Sequence, residues 1–268
     1  MNNPFNPLNN PDLASPTDED MLNILRRVQS GELSTEEAEE LLKAASAPPE
    51  TPEPDDKPLD SQDFSAPLGK TANGKLIFER GAAGLTLNGE PLADQLFTAH
   101  FERHVPIVRV NGGAVTIRYR DFGFGLLSWL RYGFKSARGD VILNADIPWQ
   151  LELNGGIANS NLDMRPVKLR GFTLNGGANN VKLMLGEPQG VVSLDFTSGV
   201  NNINILRPSH VAVRLTIHGG AAHMALDSQN FGAVGGTATL ETPNSQEASD
   251  YYLINVYGGA NNFKVAAW

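Results

Sequence analysis

The chain has 268 residues, 41% of them hydrophobic, no cysteine and a formal net charge of −9. That length suits one ordinary domain with accessory segments, and the missing thiols exclude a disulfide scaffold, a thiolate metal site and a cysteine nucleophile. The charge is uneven: residues 1–64 carry 15 acids against 4 bases, residues 65–268 carry 15 acids against 17 bases, so the body is nearly neutral and has no basic stripe to hold nucleic acid.

Residues 1–14, rich in Asn and Pro, are predicted to be a disordered tail. Met1-Asn2-Asn3-Pro4 lacks the basic segment and apolar run of a secretory signal. No stretch approaches the ~20 apolar residues a membrane span needs. A cytoplasmic location follows as the expectation. Residues 15–45 read as a helical hairpin. Ser15 or Thr17 caps a helix with Met21, Leu22, Leu25 and Val28 on one face, and Gly31 ends it. Ser34 and Glu37 form a capping box for a second helix with Ala38, Leu41 and Leu42 inward. Two helices this short bury too little alone, so this face is expected to associate with a partner. Residues 46–70 are a Pro- and acid-rich linker, extended and semi-rigid.

From residue 71 to 268 one phrase recurs seven times: an alternating apolar pair, a glycine-centred corner, a second alternating pair. With the corner's second position set to zero at Gly81, Gly113, Gly156, Gly177, Gly199, Gly220 and Gly259, the four flanking rows are apolar at 27 of 28 positions. Alternation of period two is the signature of half-buried strands, and a recurring period signals a repeat architecture. The corners from Gly156 to Gly220 are 21 or 22 residues apart, which suits turns stacked in chain order at ~4.8 Å. The expected fold is therefore mainly β: a single-stranded, parallel β-helix-like solenoid carrying a small N-terminal α-hairpin on a disordered tether. Val167-Lys168-Leu169 and Val211-Ala212-Val213 are expected to add strand to each turn. Asn154, Asn175, Asn180, Asn202 and Asn262 fall in corner register, where stacked amides form ladders that satisfy buried polar groups.

Residues 119–139 break the repeat. Phe122, Phe124, Leu127, Trp129, Tyr132 and Phe134 alternate with Arg131 and Lys135, a composition suited to a membrane surface or a partner groove, or to a loop folded over the coil. His100 and His104 would share a face of a short helix, but no third ligand is placed, so no metal and no cofactor is expected. Glycoside cleavage needs two carboxylates about 5–9.5 Å apart, whereas the outward acids Glu152, Asp163, Asp195 and Asp227 are scattered. The chain reads as no enzyme. It reaches Trp268 three residues after its last phrase, which predicts an uncovered final turn open to end stacking.

Residues 21–42 resemble the short SHOCT-like helical hairpin of bacterial proteins. The Gly-Gly-Ala-Asn-Asn phrase and its strands, at 176–180 and 258–262, resemble the adhesin-like (toast-rack) β-solenoid that follows such hairpins in envelope-stress proteins of the LiaF/LiaX and YvlB kind. Polymer-forming bactofilins share the solenoid pattern. The resemblance implies a non-catalytic scaffold of envelope stress or assembly, sited in the cytoplasm or at the inner face of the membrane. Its partners would be itself, an unidentified protein and a membrane surface, without nucleic acid. A carbohydrate-binding or carbohydrate-cleaving β-helix is the alternative.

Overall fold

The computed structural model of the chain describes residues 61–102, 105–119 and 138–268. Expectations about the tail, the hairpin and the linker as far as residue 60 lie outside these residues. Every described element is a strand: β1 (Ser61–Pro67), β2 (Gly74–Glu79), β3 (Ala82–Ala83), β4 (Leu85–Glu90), β5 (Gln95–Glu102), β6 (Ile107–Asn111), β7 (Ala114–Arg118), β8 (Arg138–Asn144), β9 (Pro148–Asn154), β10 (Ile157–Met164), β11 (Lys168–Asn175), β12 (Ala178–Leu185), β13 (Val191–Phe196), β14 (Val200–Arg207), β15 (Ala212–Ile217), β16 (Ala221–Leu226), β17 (Gln229–Val234), β18 (Ala238–Glu241), β19 (Tyr251–Val256) and β20 (Ala260–Ala267).

They form two sheets, ordered β1-β5-β8-β4-β10-β12-β14-β20-β16-β17, with β3 also on β10, and β18-β15-β19-β13-β11-β9-β2-β7-β6. At each glycine corner the chain leaves the second sheet and enters the first, so one winding is two strands and the stacked windings pair in parallel. The inward rows meet as alternation requires: Leu151, Phe172, Leu194 and Ile254 are buried on one side, Leu162, Leu183, Ile205 and Val265 on the other. Phe172, Phe196 and Phe263 fill the interior in tilted and edge-on contact, with centroids 5.6 and 5.8 Å apart, the geometry ring quadrupoles favour.

Five expectations need correcting. First, the phrase around Gly113 is no corner: β6 and β7 pair antiparallel as a hairpin within one sheet. Val115 and Ile117 of β7 are the buried pair there, while Val110 is 43% exposed. Second, no third strand completes a winding, because Lys168-Leu169 and Ala212-Val213 begin β11 and β15. Third, His100 lies on strand β5, antiparallel to β1 and β8, not on a helix. Fourth, β1 falls inside the stretch read as linker. Fifth, the windings do not stack in chain order.

Through the stack the windings run β7/β8, β2/β4, β9/β10, β11/β12, β13/β14, β19/β20, β15/β16. Besides the links to and from the end strands, β4 to β5 across β8 and β18 to β19 across β15, the chain therefore skips a layer twice in passing directly from one winding to the next. Residues 145–147 pass from β8 to β9 across β2/β4, and residues 208–211 pass from β14 to β15 across the place of β19/β20. Each skip is anchored by a buried polar side chain. Asn144, 0% exposed, donates to the Gln95 carbonyl and accepts from the Asp146 and Trp149 N–H groups through its side-chain and backbone oxygens. Arg207, 1% exposed, donates to the carbonyls of Pro208 and Ser209 at 2.9 and 3.2 Å and pairs with Asp227. A buried charge survives only when so paired and hydrogen-bonded. The last winding is thus interior to the stack, not uncovered. Antiparallel strands close both ends: β5 and β6 at one, β17 and β18 at the other.

Candidate functional site: the glycine corners and their amide rails

Six corners stack into a trough of about 1030 Å³, lined by Gly156, Gly177, Gly199, Gly259 and Gly220 and ending at Arg80 and Tyr119. The backbone ladder runs through it without interruption. The N–H after each second glycine donates to the second glycine's carbonyl in the next layer: Ile157 to Gly177 at 2.9 Å, Ala178 to Gly199 at 3.2 Å, Val200 to Gly259 at 2.9 Å. Arg80 and Ser198 hold the first corner position in two layers, but in the other four, at Gly155, Gly176, Gly219 and Gly258, it is closed to a side chain. A Cβ on Gly155 would stand 2.4 Å from the Gly81 nitrogen, and one on Gly258 would stand 2.4 Å from the Ser198 carbonyl carbon. The second position is open in the middle of the stack, where a Cβ on Gly177, Gly199 or Gly259 would touch its neighbour at 3.7 to 3.9 Å, and closed at Gly81, where it would stand 2.6 Å from the Gly156 carbonyl oxygen. Burial raises the Tyr119 phenol to about 12.

Three residues past the second glycine the ladder passes over one residue on both strands, with no shift of register. Asn159, Asn180, Asn202, His223 and Asn262 there have φ between 50° and 56°, and Ser160 faces Val181 across the skipped residue. Asparagine tolerates this left-handed conformation better than other side chains, which explains the row. The amides join between layers: Asn180 donates to Asn159 at 2.8 Å, Asn202 to Asn180 at 3.0 Å, Asn262 to Asn202 at 2.8 Å. A parallel rail runs from Asn261 to Asn201 to Asn179, each step 2.7 Å. On the other flank Asn175 donates to Asn154 at 2.8 Å, and His218 stacks on Tyr257 with ring centroids 4.9 Å apart. The rails are exposed, where the sequence suggested burial. Each amide keeps one N–H and one lone pair for solvent or a ligand.

The outward acids are each engaged locally. Glu152 meets Lys75 at 2.7 Å and accepts from Asn154, and these bonds hold its carboxyl below the usual range. Asp163 is held low by Arg165. Asp195 accepts from Ser193 and Asn255, and Asp227 takes the buried Arg207. Among the described residues no group of three His, Asp or Glu side chains is placed to hold a metal. His100 meets Asp63 at 2.6 Å. His104 lies outside the described residues.

A second cavity, about 490 Å³, was not foreseen. Arg165, Lys168, Glu187, His210 and Trp268 line it. Trp268 is 56% exposed, and the Arg165 guanidinium stands 5.9 Å from its ring centroid. Sequence could have flagged Arg207: eight residues past the second glycine stand Met164 and Leu185 in the neighbouring layers, and Arg207 puts a charge in that buried row. The hairpin face (Met21, Leu22, Leu25, Val28, Ala38, Leu41, Leu42) and the aromatic surface (Phe122, Phe124, Leu127, Trp129, Arg131, Tyr132, Phe134, Lys135) lie outside the described residues. The segment's flanks are described, and its chain enters from β7 and leaves into β8, in the layer that has no glycine corner.

Residues 55–206 match the family model described as the N-terminal domain of toast_rack, DUF2154. Among solved structures the chain is similar to a protein of Clostridium sporogenes ATCC 15579 provisionally assigned to cell adhesion, with 16% identity and a TM-score of 0.58 over 78% of this chain and 99% of that one. At that identity the likeness concerns the fold alone. No curated protein matches the chain in sequence.

Proposed function

Because this chain belongs to the toast-rack family, whose N-terminal domain it carries, we propose that it is a non-catalytic, adhesin-like coil that binds a partner along its repeated face. The observation that carries this reading is the pairing of two facts. The outward acids Glu152, Asp163, Asp195 and Asp227 are each neutralised or hydrogen-bonded locally, and the surface chemistry repeats once per layer along the amide rails. Repetition at a fixed spacing favours extended contact over a single reactive centre. The test is sedimentation of the full chain with bacterial envelope fractions. The rail variant Asn179→Ala/Asn201→Ala/Asn261→Ala should keep its melting transition and lose envelope binding; failure of the unmodified chain to bind would overturn the reading.

In this proposal the protein works in envelope stress or assembly, in the cytoplasm or at the inner face of the membrane. The acidic hairpin of residues 15–45 serves association, and residues 119–139 dock to lipid. Co-sedimentation with anionic vesicles should then fall in Trp129→Ala and Arg131→Glu, since the aromatic residue supplies apolar burial and the arginine attraction to the headgroups. Unchanged binding removes the lipid role.

One observation supports a carbohydrate-binding reading. The exposed Trp268 ring, with Arg165, Lys168, Glu187 and His210 around the same cavity, offers an apolar plane ringed by hydrogen-bonding groups. A saturating polysaccharide would then stabilise the fold, by about 2.7 kcal/mol at a hundred times the dissociation constant, and Trp268→Ala would abolish that shift.

A further inference from the structure

The layer order places the β19/β20 winding between β13/β14 and β15/β16, although both flanking windings precede it in the chain. At the other end of the stack the comparable skip has a different consequence. There β2/β4 comes first in the chain, and β7/β8 and β9/β10 are laid on its two sides. β7/β8 also comes after the strands on its two sides, but there one side is the end strands β5 and β6, whereas β19/β20 must enter between two complete windings already laid down.

The two walls of that space are also joined by residues outside the entering winding. Arg207, at the end of β14, fixes the two-layer step by donating to the carbonyls of Pro208 and Ser209 and by pairing with Asp227 beyond β16. The entering winding supplies inward side chains, with Tyr252, Ile254, Val256, Phe263 and Val265 all at most 1% exposed. It also completes parallel ladders on both flanks. An empty slot would leave four strand edges unpaired, and such edges recruit another strand.

We infer that β19/β20 is an exchangeable element: the slot of one copy accepts the β19/β20 winding of a second copy of this chain. The strand pairings and inward contacts of the winding are with the walls of the slot, so they re-form identically in the exchanged dimer. Residues 242–250 are the hinge. In the closed form they pass from β18 to β19, on the two sides of β15, a separation of about 10 Å at the usual strand spacing. Nine residues reach about 30 Å when extended, so the hinge has the slack to deliver the winding elsewhere. It is held closed by Arg214, which donates to the Ser245 carbonyl at 2.6 Å and lies over the Tyr251 ring at 4.4 Å. Reciprocal exchange gives a closed dimer; one-way exchange gives an open chain of copies.

The absence of cysteine makes the test direct. In the exchanged dimer residue 201 of one copy stands beside residue 261 of the other, as they do within one chain here, close enough for a disulfide. Residues 179 and 261 are two layers apart, about 9.6 Å, beyond disulfide reach. A full-length Asn201→Cys copy is mixed with an Asn261→Cys copy, and separately an Asn179→Cys copy with the same partner. Each pair is refolded together at rising concentration and oxidised. Exchange predicts a covalent heterodimer from the first pair alone, with a yield that rises when Arg214→Ala releases the hinge in both copies. Equal yields from the two pairs, or no covalent heterodimer from either, overturn the inference.

Discussion

At the residue scale, the first and second glycines of the corners play different parts, and substitution in neighbouring corners separates them. Gly155 has φ +101° and no room for a Cβ, which would stand 2.4 Å from the Gly81 nitrogen. Gly155→Ala is expected to lower stability by more than about 2 kcal/mol, combining strain with displaced backbone. Gly177 has ordinary room, and its φ is not in the left-handed region. Gly177→Ala is expected to raise stability by about 0.4–1 kcal/mol, because alanine restricts the unfolded chain more. Urea midpoints of the two variants decide both. The asparagine row behaves differently again. At Asn180, φ +56° with one amide bond to each neighbouring layer, alanine loses the bonds and strains the backbone, whereas glycine loses only the bonds. Asn180→Gly should therefore melt above Asn180→Ala, by an amount near the 1–2 kcal/mol left-handed penalty. This row was legible as a repeat in the sequence. Its backbone cause was not, since a left-handed residue inside a strand shows only in the folded backbone.

At the scale of elements, β1 and the β19/β20 winding are the informative cases. β1 is an edge strand on β5, and one side-chain tie between them is His100 to Asp63. The hydrogen bond His100 donates to the Asp63 carboxylate, with Asp63, Glu102 and Asp140 as neighbouring charges, raises the His100 pKa above 6.5. Protonated His100 is thus favoured in the folded state. Its contribution is full below 6.5 and fades as pH rises through the higher folded value. An NMR titration should show the His100 midpoint above 6.5 and moving down toward it in Asp63→Asn, and β1 amides should exchange faster above the folded midpoint. Phe263 is the inward anchor of β20 against Phe196. Phe263→Ala should cost about 3–5 kcal/mol, read from chemical denaturation. β1 escaped the sequence reading because its residues lie among the acids and prolines of a linker, and an edge strand needs only a partner edge. The Gly113 phrase misled for the converse reason. Alternating apolar pairs around two glycines describe a tight hairpin as well as a corner, and only pairing tells them apart.

For the whole molecule, the consequence of the layer order is cooperativity. A coil stacked in chain order can fray from its end, because each winding touches only its neighbours. Here the last winding locks two earlier ones together, and Arg207 with Asp227 bridges across β20. Hydrogen exchange should find β14, β20 and β16 opening as one unit. Arg207→Met, close in length and without the charge, should split that unit by freeing residues 208–211 while leaving β9 to β12 protected. Separate protection of β20 in the unmodified chain would count against this account.

The alternation of apolar and polar residues determined by itself that the chain forms strands, which side chains turn inward, and where it bends, because period two and the glycine pairs are local properties. Which winding lies on which was decided only by the tertiary structure. The corner phrases at Gly177 and Gly259 share the same five residues, so either could stack on β13/β14, and both do, one on each side. Near-identical edges pair with near-identical energies. The order is then fixed by the links that skip a layer and by the buried Asn144 and Arg207 that hold them, which belong to no repeat.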